Sequence, residues 1–249
     1  MHKLRLYIPL IGLMITILLI CDALAFKVVS IYGLDFAASG LIFPMGFLLA
    51  SVITEVYGFT LAGRIIWVQL LCQACFILTI NLFVLLPSPR DSVTASYYFN
   101  LYQNLWHVLI AATTALVSAY FVNDIIMSKL KIYLSGNYFV MRFIISNAIG
   151  TAILVCISYP INFYGLYSLN HIVVIAFNTW VYKMIMAVML FPLAIFLSSV
   201  VKRIEKLDYF DYGISYNPLT VFSENVSGEN KHEKYNNIEG WCRESYSSK

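Results

Sequence analysis

Between Asn170 and Val201 the chain runs for 32 residues with one charged side chain, Lys183. A helix crosses the hydrocarbon core of a bilayer in about 20 residues, so this stretch is long enough to span and must tilt or bend, for which Pro192 offers a place. The remainder is of the same kind. With 60% hydrophobic and 12% charged residues, the chain is too apolar for an ordinary water-soluble domain. Within 249 residues there is room for roughly six spanning helices and one small tail. The expected fold is therefore all-α, a polytopic membrane protein built as a six-helix bundle.

Apolar runs and their breakers place the spans at about 7–26, 36–55, 61–86, 104–128, 139–159 and 170–201. The first follows His2, Lys3 and Arg5 and has Ala23-Leu24-Ala25 near its end, which resembles a secretory signal. Its length and the interruption by Asp22 favour a retained helix. The lipoprotein reading of Cys21 fails on the bulky Ile20. Tyr57-Gly58-Phe59 predicts a short hairpin that sets the second and third helices side by side and antiparallel. Pro87-Ser88-Pro89 ends the third, and a polar loop, 90–103, carries Tyr97, Tyr98 and Tyr102 as an interfacial aromatic belt. Ala111, Ala115 and Ala119 recur every four residues in the fourth, a small-residue stripe that admits a close neighbour. Pro160 is expected to close the fifth.

Lys and Arg distribute unevenly between alternate loops. Lys3, Arg5, Arg64, Lys129, Lys131, Arg142, Lys202, Arg203 and Lys206 fall on one side and Lys27 and Arg90 on the other, which puts both termini in the cytoplasm. From Asp208 onward seven acidic residues oppose four basic ones among Asn, Ser and Gly. Residues 208–249 thus read as a solvated, disordered cytoplasmic tail. Five cysteines are an odd number and sit mostly in apolar runs, so no disulfide framework is inferred; the Cys72-x-x-Cys75 pair reads as packing.

Polar residues within the spans are the candidate site. A charge at the bilayer centre costs roughly 2.5–3.5 kcal/mol even on insertion scales, so such groups face protein or a wet cavity. Lys183 lies about 18 Å from the outer end of its helix, too deep to snorkel easily, with Asn178 and Thr179 about one turn away. It is expected to face inward, toward a carboxylate or a ligand carbonyl. Glu55 has two readings, a ligand group or the partner of Arg64. Asp124, preceded by Asn123, is either a ligand group or an interfacial partner of Lys129, and Asp22 reads as interfacial. Gln69, Gln73 and Asn81 share one stripe of the third helix, and Ser146, Asn147 and Thr151 nearly share a face of the fifth. No metal cluster, nucleophile, nucleic-acid-binding patch or Walker-type phosphate loop is present, so neither an enzyme nor a cofactor is implied.

Phe43-Pro44, Thr54-Glu55-Val56-Tyr57-Gly58-Phe59 and Arg64-Ile65-Ile66-Trp67 resemble the queuosine precursor transporters, also called the vitamin uptake transporter family. Lys129-Leu130-Lys131, Arg142, Tyr182-Lys183-Met184, Asp211 and Tyr216-Asn217-Pro218 continue the resemblance over about residues 7–218. It implies a multi-pass carrier of the cell inner membrane that imports deazaguanine bases for tRNA modification. Its partners would be a purine-like small molecule and membrane lipids, with a homodimer or a separate energising subunit left open. Members usually carry Asp where Ser51 stands, four residues before the motif glutamate; their fourth-helix Gln-x-x-Asp aligns with Tyr120 to Asn123, leaving Asp124 one place off, and a second such motif falls on Thr151 to Leu154 of the fifth, with no acid. A guanine-like edge presents adjacent N–H donors that a carboxylate accepts in pairs. Glu55 or Asp124 would take over that task, or the ligand is another planar solute or vitamin. The implied substrate-binding set is Lys183, Glu55, Asp124, Asn123, Asn147 and Asn178. A non-transporting membrane scaffold that recruits a partner through its tail is the alternative of another class.

Overall fold

The computed structural model describes residues 4–24, 27–31, 34–87, 93–102, 105–163, 168–222 and 229–230. In chain order these form α1 (Tyr7–Ala23), β1 (Val28–Ile31), β2 (Leu34–Ala37), α2 (Ala38–Val84), α3 (Val93–Tyr102), α4 (Leu105–Tyr133), α5 (Phe139–Phe163), α6 (Leu169–Glu205), β3 (Tyr209–Phe210) and β4 (Glu229–Asn230). The chain is a bundle of long helices. Ala38–Val84, Phe139–Ile161 and Leu169–Glu205 are long and apolar enough to cross a membrane. Their outward faces carry Leu71, Leu78, Phe83, Val173, Phe177, Met189 and Phe196, all exposed. So broad an apolar surface would aggregate in water and suits acyl chains.

Helix α2 is broken at Gly58, whose φ of 82° and ψ of 173° are not helical. Contacts with α1 fix what happens there. Tyr7 meets Tyr57 with ring centroids 5.2 Å apart, while the Cys21 thiol reaches the Ser39 carbonyl, so the first arm runs antiparallel to α1. The Tyr7 hydroxyl donates to the Leu61 carbonyl at 3.0 Å, and Gln73 reaches Asp22, so the second arm runs parallel to α1. The two arms therefore fold back on each other at Gly58, as the Tyr-Gly-Phe sequence predicts.

The first arm is the centre of the bundle. Nearly every residue from Gly46 to Ile66 is buried. Phe47 stacks on Tyr120 of α4 at 4.7 Å between centroids, Ser51 meets Asn147 of α5, and Phe43 meets Lys183 of α6. On α4 the alanine stripe is fully buried, and a Cβ added to Gly150 of α5 would sit 3.1 Å from the Ala119 carbonyl oxygen. Small residues on both sides let these two backbones close up.

Several expectations need correction. A two-stranded antiparallel hairpin pairing Val28–Ile31 with Leu34–Ala37 precedes α2, so the fold is not purely helical; the β-branched and alternating residues there favour extended backbone. The first helix ends at Ala23 and α2 begins at Ala38, inside the bounds expected for both spans. The loop at 90–103 contains α3, in which Tyr98 and Tyr102 pair one turn apart at 5.8 Å. Pro160 does not end α5, which continues to Phe163. Finally, the chain does not become solvated at Asp208. Residues Leu207, Phe210, Asp211 and Val221 are buried against the bundle, because that segment supplies apolar and hydrogen-bonding cover for the hairpin. The rest of the expected tail, apart from the β4 pair, lies outside the described residues.

Candidate functional site

Glu55 ends the central arm at the same end of the bundle as the α4–α5 turn and the close of α6. It is 1% exposed and surrounded by cations from three helices. Arg142 of α5 grips both carboxylate oxygens, with Nη2 donating to Oε1 at 3.2 Å and Nη1 to Oε2. Lys202 of α6 donates to Oε1 at 2.7 Å, and Lys131 of α4 stands 4.0 Å from the same oxygen while donating to the Glu55 carbonyl. Asp208 then bridges the two lysines, at 2.7 Å from Lys131 and 2.9 Å from Lys202. Burial pushes the Asp208 carboxyl up, but Lys131 and Lys202 outweigh it and hold the group below the usual carboxylate range. Arg64, the expected partner of Glu55, instead donates through Nε to the Val221 carbonyl at 2.8 Å. Glu55 is thus an ion-pair hub that ties four helices together.

The motif around it is explained by the segment that follows α6. Asp211 accepts the Phe59 backbone N–H and the Ser128 hydroxyl, the latter at 2.6 Å. Trp67 Nε1 donates to the Pro218 carbonyl at 2.9 Å, and Tyr216 packs on Phe59 at 5.1 Å. The turn leaves the Phe59 amide without a helical partner, and Asp211 supplies one. Burial raises the Asp211 carboxyl, and the Ser128 and Phe59 bonds only partly oppose this.

One to two turns deeper, a second polar group joins the central arm to α4 and α5. Ser51 Oγ receives Asn147 Nδ2 at 3.1 Å and Asn123 Nδ2 at 3.5 Å. Asn123 Nδ2 also donates to Asp124 Oδ1 at 3.1 Å. Thr151, one turn beyond Asn147, donates to the Asn147 carbonyl at 2.6 Å. Asp124 is 1% exposed, yet its Oδ2 and the Oδ1 of Asn123 have no hydrogen-bond partner among the described residues. Buried acceptors left unpaired are rare and costly, so the pair is an opening for donors from elsewhere.

Lys183 is 7% exposed and does turn inward, but toward an aromatic face: its Nζ lies 4.5 Å from the centroid of the Phe43 ring. Among the described residues it has no ion pair or hydrogen bond. Phe43 and Glu55 are separated by twelve positions of the same arm, about 18 Å of helix, so Lys183 and Glu55 belong to different levels of the bundle. Asn178 is exposed and drops out of any inward-facing group. Five residues of helix rotate it about 140° from Lys183, whereas Thr179, at four, stays on the inner face and receives the Tyr159 hydroxyl at 2.7 Å.

A cleft of about 670 Å³ lies between the start of α5 and the end of α6, walled by Phe139, Ile144 and Ile195 and reaching Ser198, Lys202 and Glu55. Neither Lys183 nor Asp124 lines it. The residues that reasoning from sequence missed are the partners, Arg142, Lys131 and Lys202 on Glu55 and Gln73 on Asp22. For Arg142 and Gln73 the signal was present: each is a polar group set in an apolar run, and such a group needs a partner.

Residues 37–197 match a family described as "Putative vitamin uptake transporter". No curated protein and no solved structure matches the chain. The match covers more than half of the 249 residues, and it contains the central hairpin arm, α4, α5 and most of α6, while Lys202, Asp208 and Asp211 lie beyond it. The bundle holds buried acceptors and an amine that have no partner among the described residues, and the chain belongs to the family of putative vitamin uptake transporters.

Proposed function

We propose that this protein is a multi-pass importer of the cell inner membrane, with six crossings and both termini in the cytoplasm, and that its solute is a planar base with adjacent N–H donors, a deazaguanine precursor of queuosine. The observation that carries this reading is the pair of buried, unpartnered oxygens on Asn123 and Asp124. Two neighbouring acceptors beside Ser51 and Asn147 are complementary to the donor edge of a guanine-like ring. Phe47 and Tyr120 stack just beyond, and aromatic faces of this kind accept a planar ligand. Lys183 would hold a ligand carbonyl or carboxylate from the opposite side. Glu55 serves this reading as the closure of the cytoplasmic end rather than as a ligand group, and the cleft beside Lys202 would be the cytoplasmic exit.

The placement of Lys131, Arg142, Lys202 and the first turn of α1 at one end of the bundle supports the cytoplasmic assignment of that end. The test is complementation. Bacteria that neither make nor import deazaguanines are given the gene and each base at low concentration, and queuosine in tRNA is measured. Rescue is expected; failure with every base overturns the substrate assignment. The family description favours one second reading, uptake of a different planar vitamin, which the same strain separates by competition with unlabelled vitamins. A scaffold acting through a free tail is disfavoured by the docking of residues 208–222 on the hairpin.

A further inference from the structure

Asp22, expected at an interface, is 5% exposed and lies between α1 and the second arm of α2. Both of its oxygens accept from one group, Gln73 Nε2, at 3.0 and 2.9 Å. No cation pairs with it among the described residues. The other atom of the same amide, Gln73 Oε1, is buried and has no partner among the described residues, and neither has Gln69 Oε1 one turn away. A charged carboxylate has only acceptors to offer, so while Asp22 is ionised Gln73 can satisfy its N–H side alone.

A proton resolves both faults at once. Protonated Asp22 gains one O–H donor, and a carboxylic acid and a primary amide then match in two reciprocal bonds, O–H to Gln73 Oε1 and Gln73 N–H to the acid carbonyl. The ionised form, buried opposite a neutral amide, keeps neither full solvation nor a counter-charge. We infer that Asp22 and Gln73 form a proton-binding pair that couples solute uptake to the proton gradient, taking a proton from the outer side and releasing it inward. This rests on the transport reading above. Among the described residues the groups around the pair are Cys21 on α1, Gln69 on α2, Tyr120 on α4 and Lys183 on α6, and Asp22, Tyr120 and Lys183 each interact electrostatically with the Cys21 thiol. Lys183 is itself without a counter-ion among the described residues, so a proton moving on or off Asp22 changes the field at the amine proposed to hold the solute.

Two measurements on the full chain test this. The first is an infrared difference spectrum of purified protein between acid and neutral pH, without solute. A protonated-carboxyl carbonyl band that titrates is expected, lost in Asp22→Asn and shifted in Gln73→Leu; a band that persists unchanged in Asp22→Asn overturns the proposal. The second is uptake into proteoliposomes with imposed gradients. For one proton per solute, accumulation rises about tenfold per unit of outside-acid pH gradient. Asp22→Asn should lose that response while retaining solute exchange at equal pH. Acceleration by a sodium gradient and not by a proton gradient also overturns it. If the band behaves as expected and no base is transported, the proton site stands and the substrate reading fails.

Discussion

A Cβ placed on Gly58 would lie 2.5 Å from Oδ1 of Asp211, the carboxylate that accepts the amide of the next residue, Phe59, at 3.1 and 3.0 Å. The turn thus requires glycine twice, for its φ of 82° and for the space Asp211 occupies. Gly58→Ala is expected to lower thermal stability in detergent by more than the roughly 1 kcal/mol of a simple glycine replacement, since strain and overlap add. In the Asp211→Ala background the same change should cost less, because the overlap is gone. Equal costs in both backgrounds, measured by thermal unfolding, would refute the steric link.

Glu55→Gln should be among the most damaging substitutions in the chain. It leaves Arg142, fully buried, without a full counter-charge, and breaking a buried pair costs about 3–5 kcal/mol. Lys202→Met should cost distinctly less, since Lys202 is 26% exposed and Arg142 still holds the carboxylate. Melting temperatures of the two variants in one detergent give the order.

Acidification should loosen the same end. Asp208 has a carboxyl held below its ordinary range in the folded state, so its contribution to stability is present above the unfolded-state value and disappears as pH falls through the folded one. Asp208→Asn should flatten the acid limb of the stability profile. An unchanged acid limb would mean that Asp208 is not linked to folding.

Asp124→Asn replaces one orphan acceptor by an amide that can present donors to a donor-bearing ligand. A lost or clashing hydrogen bond costs about 1–3 kcal/mol, or roughly 5- to 150-fold in apparent affinity for the base. Lys183→Met should abolish uptake with normal membrane insertion, and Asn178→Ala should leave uptake unchanged. Reduced uptake in Asn178→Ala would return that residue to the site.

What could be read from the residues alone followed from local rules. The turn at Gly58 and the inward rotation of Lys183 depend on short-range geometry, and the structure has both. The pairings escaped because they are long-range. Glu55 had Arg64 nine residues away as an obvious partner, while its real partners lie 87 and 147 positions further on. Asn178 seemed to accompany Lys183 because one turn was taken as nearness, although only positions three and four apart share a face. The polar composition after Asp208 suggested solvent, yet in this segment Asp211 and the carbonyls of Pro218 and Val221 accept hydrogen bonds from Phe59, Trp67 and Arg64 of the hairpin.

That clasp sets an order on assembly. Phe59, which follows the turn at Gly58, is synthesised 152 residues before the aspartate that receives its amide. While α4, α5 and α6 are being made the two arms therefore keep an open polar corner, and only the last stretch before Phe222 seals it. Early helices can be placed without that seal, but a chain cut short of it would keep its topology and lose its latch.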